Sequence, residues 1–122
     1  MQETDQERTE RLVKWQADRR MRWAMLHVLY GRRGNDTGWT GGLTIRDEIS
    51  GMPGFDLKDD QHCVDLLRDL RIKGMVRERD TRRFENDRFC LEFLAYRLRP
   101  RGLSLYLQTI EPDPDVDDPR RV

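Results

Sequence analysis

Apolar positions change period several times along the chain, and each change marks an element. From Gln6 to Tyr30, Leu12, Trp15, Arg19, Trp23, Leu26 and Tyr30 follow a three-to-four spacing that predicts one long helix. Met25, Val28 and Leu29 widen its apolar face toward the C-terminal end. Leu43 to Gly51 predicts a short second helix, with Ile45 and Ile49 facing the core and Thr44 and Asp47 in a capping arrangement. A third helix follows to Lys73, with Asp56 as N-cap, Cys63, Leu66, Leu67 and Leu70 as its stripe, and Gly74 as its stop. The period then drops toward two. Met75 to Asp80 and Phe89 to Leu98 predict two strands of a hairpin. In the second, Phe89, Leu91 and Phe93 stand in the opposite phase to Leu94, Tyr96 and Leu98, and a bulge near Phe93–Leu94 would reconcile them. Pro100 to Ile110 predicts a last helix, with Leu103, Tyr106, Leu107 and Ile110 on its apolar face. The class implied is α+β.

The segments between are informative by what they lack. Residues 31–42, GRRGNDTGWTGG, are rich in glycine but have no Gly-Lys-Ser/Thr ending and no strand before them. They predict a connection anchored by Trp39 rather than a phosphate cradle. Residues 111–122, EPDPDVDDPRRV, combine proline and aspartate and predict an extended or disordered acidic tail outside a domain of residues 1–110. No apolar run is long enough to span a membrane and no signal pattern opens the chain, so a cytoplasmic protein is expected.

The helix ending at Gly74, the hairpin and the run YRLRPRGLSLYL resemble the winged-helix family in its MarR-like and PadR-like forms. The matching residues are Leu67, Leu70, Gly74, Met75 and Val76, then Tyr96, Leu98, Arg101, Gly102 and Leu103; Arg99 stands where the family has threonine. The resemblance covers residues 22–110. It implies a winged helix-turn-helix: a three-helix core, a two-stranded wing and a C-terminal helix. It also implies a small DNA-binding transcriptional regulator whose terminal helices dimerise. Arg22-Trp23 opening a helix, the same glycine-ended helix and the proline-bearing acidic end also resemble a small winged-helix family of Mu-like bacteriophages and prophages. That second likeness suggests an origin rather than a mechanism.

Charge qualifies this picture. The chain is neutral overall, but residues 75–102 hold eight Lys/Arg against five Asp/Glu, and residues 103–122 hold two against five. With Leu67 at the centre of the core face, the opposite face of the third helix carries Lys58, Gln61, His62, Asp65, Asp69 and Ile72, with Arg68 at its edge. Lys58 and Arg68 suit phosphate or guanine, Gln61 suits adenine, and His62 can donate to either, whereas Asp65 and Asp69 oppose a duplex. Arg77, Arg79, Arg82, Arg83 and Arg88 surround the expected wing and suit the backbone of double-stranded DNA. The bland alternative is a solvated hairpin balanced by Glu78, Asp80, Glu85 and Asp87.

Two uses are open for the first half of the long helix. It is either a solvated extension with ion pairs such as Glu7 with Arg11, or a dimer arm presenting Leu12 and Trp15. The resemblance adds Leu103, Tyr106 and Leu107 as homodimer contacts. A domain repurposed to bind a protein partner is the competing function. The two histidines, His27 and His62, lie on separate helices, and Cys63 and Cys90 form no metal-type pair. No enzyme, cofactor or metal is expected.

Overall fold

A computed structural model describes residues 2–82 and 90–121. Among these, helices α1 (Asp5–Gly31), α2 (Gly42–Ser50), α3 (Asp60–Ile72) and α4 (Pro100–Tyr106) surround a three-stranded antiparallel sheet. Its strands are β1 (Thr40–Gly41), β2 (Val76–Asp80) and β3 (Leu94–Leu98), in the order β1-β3-β2. The class is α+β, and the arrangement is compatible with a winged helix. No described helix is long and apolar enough to cross a membrane.

α1 starts at a capping box. The Thr4 hydroxyl accepts from the Glu7 amide, and the Glu7 carboxylate accepts from the Thr4 amide. Its core contribution begins only at Met21, with Ala24, Met25, Leu26, Val28 and Leu29. These meet Ile45 and Ile49 of α2, Cys63, Val64, Leu66, Leu67 and Leu70 of α3, and Met75, Val76, Leu94 and Tyr96 of the sheet. Leu12 and Trp15 stay outside this core, 53% and 47% exposed. Arg11 pairs with Glu3 rather than Glu7.

α3 begins later than Asp56. Asp59 is its N-cap, accepting from the His62 amide at 2.8 Å. Residues 56–58 stay outside the helix, although Leu57 packs on the core. α2 likewise lacks the expected Thr44 cap: Gly41 is its N-cap and makes no side-chain hydrogen bond. At the other end of α3, Gly74 has φ +74°, its amide donates to Arg71 and the Met75 amide donates to Leu70. This is the αL stop that the glycine predicted. α4 ends at Tyr106 rather than Ile110. Gln108 takes φ +61° and donates to the Leu105 carbonyl, and the Thr109 amide donates to Ser104, so the same motif closes the helix without a glycine.

The phase change before β3 is solved by a 3-10 turn, Leu91–Phe93, rather than by a bulge within the strand. The turn buries Leu91 and leaves Phe93 exposed. The acidic end is extended, one of the two expected alternatives, but it is not free of the domain. It has no helix or strand, as its prolines require, yet it lies along α1 with Val116 buried. The Asp117 amide donates to the Arg19 carbonyl, Arg22 donates to the Asp115 carbonyl, and Lys73 bridges Asp113 and Asp115 at 3.1 and 2.7 Å. Composition alone predicts disorder for these acids because it does not place them beside Arg19, Arg20, Arg22 and Lys73.

Candidate nucleic-acid interface

The two-residue period of β2 sorts its charges. Arg77 and Arg79 point to one face, Val76 and Glu78 to the other. On the second face Glu78 accepts from the Tyr96 hydroxyl at 2.6 Å and pairs with Arg71 at 3.0 Å. Burial and that carboxylate push the Tyr96 phenol far up. The nearest acid in sequence is therefore turned away from the arginines and already partnered. Register sets Arg77 directly opposite Arg97 and Arg79 opposite Ala95. Trp39, carried to the sheet by the loop before β1, has the guanidinium of Arg79 at 4.7 Å and that of Arg97 at 4.8 Å from its ring centroid. The result is an arginine-and-tryptophan face with no ion pair to Arg77, Arg79 or Arg97 among the described residues.

Arg82 belongs elsewhere. It grips Asp80 at 2.6 Å and lies over Phe93. Hydrogen bonds from Arg82 hold the Asp80 carboxyl below its usual range. Arg83 and Arg88, together with Glu85 and Asp87, lie outside the described residues. Arg97 and Trp39 are contacts that the spacing of residues does not by itself predict. The signal that could have found Arg97 is the Arg97–Leu98–Arg99 alternation, which continues the basic face across the hairpin.

The face of α3 is less available than its helical wheel suggests. His62 was placed opposite the core, but its ring turns toward α1. Its Nδ1 accepts from the Lys58 amide at 3.1 Å, which leaves Nε2–H to donate to Asp18 at 2.8 Å. Asp69 is bound by Arg22 at 2.9 Å, and Gln61 donates to Asp65 at 2.8 Å. Lys58 lies in the exposed loop before the helix, and Arg68 is half-buried, with its charge acting on the Tyr96 phenol. Ile72 is 84% exposed at the C-terminal end. Of the expected dimer contacts, Leu12, Trp15 and Leu107 are exposed and Leu103 is half-buried. Tyr106 is buried within this chain, its hydroxyl 2.7 Å from His27 Nδ1 and its ring tilted on Tyr30 at 4.4 Å.

A cleft of about 760 Å³ opens beside the basic face, between the C-terminal part of α1, the loop before β1, the sheet and the start of α4. Comparison with protein-family models, with curated proteins and with solved structures finds no match to this chain.

Proposed function

We propose that this chain is a winged helix that binds double-stranded DNA chiefly through the outer face of β2 and β3. The observation that carries the reading is Arg77 set directly opposite Arg97, with Arg79 and Trp39 beside them and, among the described residues, no acid paired to any of the three arginines. Like charges directly opposite on a sheet are unfavourable, and a phosphate between them removes the penalty. The hairpin then lies on the backbone as a wing. α3 approaches the major groove with Gln61 and Arg68, and the loop before it with Lys58, although the side-chain pairing of α3 makes it a weak reader of sequence. A regulator of bacterial or phage genes fits this reading.

The test is fluorescence anisotropy with mixed-sequence duplex DNA across a salt series. We expect affinity to fall steeply with salt, and Arg79→Ala and Arg97→Ala each to reduce the log–log slope by about 1. Absence of binding at low salt overturns the proposal.

A second reading has its own observation. Leu12, Val13 and Trp15 are 53, 64 and 47% exposed along one stretch of α1 that lies outside the hydrophobic core of the described residues. That stretch suits self-association or capture of a protein partner.

A further inference from the structure

The cleft beside the basic face has a composition of its own. Arg33, Arg77, Arg97 and Arg99 line it, and among the described residues no Asp or Glu does. Leu29, Leu98 and Leu103 supply an apolar floor. Thr40, also in the lining, is only 4% exposed, and its hydroxyl makes no hydrogen bond to a described residue. An unpaired hydroxyl in the lining can donate to, or accept from, a polar group bound in the cleft. The volume, about 760 Å³, lies within the range of roughly 300–1,000 Å³ usual for small-molecule sites.

Two of the arginines already lie over aromatic rings. Arg97 lies 4.8 Å from the Trp39 centroid, and Arg33 lies 3.7 Å from that of Tyr30 while donating to the Tyr30 carbonyl. A guanidinium restrained in this way loses less freedom when it also contacts a planar ligand ring. The lining therefore asks for three things in one ligand: negative charge for four cations, a flat apolar body for the leucine floor, and a polar edge for Thr40.

We infer that this cleft is a binding site for a phosphorylated nucleoside, either a free nucleotide or the terminal nucleotide of a nucleic-acid strand. The phosphate sits among Arg77, Arg97 and Arg99, and the base rests on the leucine floor with an edge toward Thr40. The site goes beyond the duplex contact proposed above: it shares Arg77 and Arg97 with it, but its floor is separate.

The experiment uses the full chain and isothermal titration calorimetry with adenosine 5′-monophosphate, ribose 5-phosphate and adenosine. In parallel, anisotropy compares a closed dumbbell duplex with the same duplex bearing a 5′-phosphorylated three-nucleotide overhang. We expect one site for the monophosphate, at least tenfold tighter than for ribose 5-phosphate or adenosine. Arg99→Gln should weaken it about tenfold, and Arg20→Gln, on the tail side of α1, should leave it unchanged. Thr40→Val, which keeps the side-chain shape, should weaken the monophosphate but not ribose 5-phosphate. Preference for the overhang over the dumbbell identifies a strand end as the source; monophosphate binding without that preference identifies a free nucleotide. Equal binding of ribose 5-phosphate and the monophosphate overturns the inference. So does the absence of both monophosphate binding and overhang preference. Dumbbell binding that persists in that case leaves the duplex reading standing, whereas monophosphate binding without dumbbell binding removes the duplex reading and keeps this one.

Discussion

Arg77 and Arg97 face each other across β2 and β3, two cations in direct register on an open sheet face. Arg97 has the Trp39 ring as partial compensation, and Arg79 reaches the same ring from the neighbouring position. Arg77 has no such contact among the described residues. A folded protein without a bound anion carries this repulsion as a standing cost.

That cost can be measured. Arg77→Thr replaces one cation by a residue suited to a strand, and it should stabilise the free protein by about 0.2–1 kcal/mol. The gain should shrink as salt screens the parent's repulsion. Urea denaturation of both proteins at low and high salt checks it. DNA affinity of the same variant should fall, so stability and binding move in opposite directions. A variant less stable than the parent at low salt sinks the account.

Gly102 sits where α4 meets the start of β2. A Cβ there would stand 2.2 Å from the Met75 carbonyl oxygen and 3.0 Å from its carbon, and backbone cannot yield as a flexible side chain does. The Arg99 amide donates to that same carbonyl at 2.9 Å, so a shift would also break the tie between α4 and β2. Gly102→Ala should destabilise by about 1–3 kcal/mol or more. Gly34→Ala, with open space around its position, is the control. Thermal or urea unfolding of the two variants makes the comparison.

These cases show what the sequence conveyed. Gly74 stops α3 by its own conformational freedom, and Leu66, Leu67 and Leu70 pack where their spacing put them, because both properties are local. The ends of α1 and α2 and the strand at Val76–Asp80 were legible for the same reason. Asp59 rather than Asp56 caps α3, and Gln108 closes α4 although neither glycine nor asparagine stands there. In both places several residues could serve and tertiary packing chose. His62 shows the limit most clearly. A helical wheel placed it on the outer face, but the wheel has no knowledge that α1 brings Asp18 to its side. The arginine face was half visible: β2 showed Arg77 and Arg79, while their pairing with Arg97 and Trp39 required a register.

The acidic end should stabilise the fold in a pH-dependent way. A hydrogen bond from Lys73 holds the Asp115 carboxyl below its usual range. Burial pushes the Asp118 carboxyl up, but hydrogen bonds from Arg120 and Gln108 outweigh it and the net direction is again down. A carboxyl lowered in the folded state binds fewer protons there than in the unfolded chain, where it titrates at about 3.9. Its contribution is therefore fully present above that value and is lost as pH falls through the lower folded value. A chain ending at Ile110 should be less stable than the full chain at pH 7, and the difference should narrow below about pH 4. Urea midpoints of both chains at the two pH values test this. Equal midpoints at pH 7 would show that the tail's contacts with Arg19, Arg22 and Lys73 add nothing.

The first turns of α1 offer the last test. Residues before Met21 bury no side chain, so Leu12 and Trp15 can be changed without opening the core. Trp15 has the Arg19 guanidinium 4.5 Å from its ring centroid, which restrains the ring while leaving it 47% exposed. If this stretch is an arm that packs on a second copy, Leu12→Ala combined with Trp15→Ala should shift the protein toward monomer in sedimentation equilibrium. The unfolding midpoint measured at low protein concentration should stay within about 0.5 kcal/mol of the parent, as for other surface substitutions. A parent that is monomeric at high concentration removes the self-association reading. The arm's apolar residues would then be left for a different protein partner, and DNA affinity in the double variant should be unchanged, because the arginine face lies on β2 and β3 rather than on this end of α1.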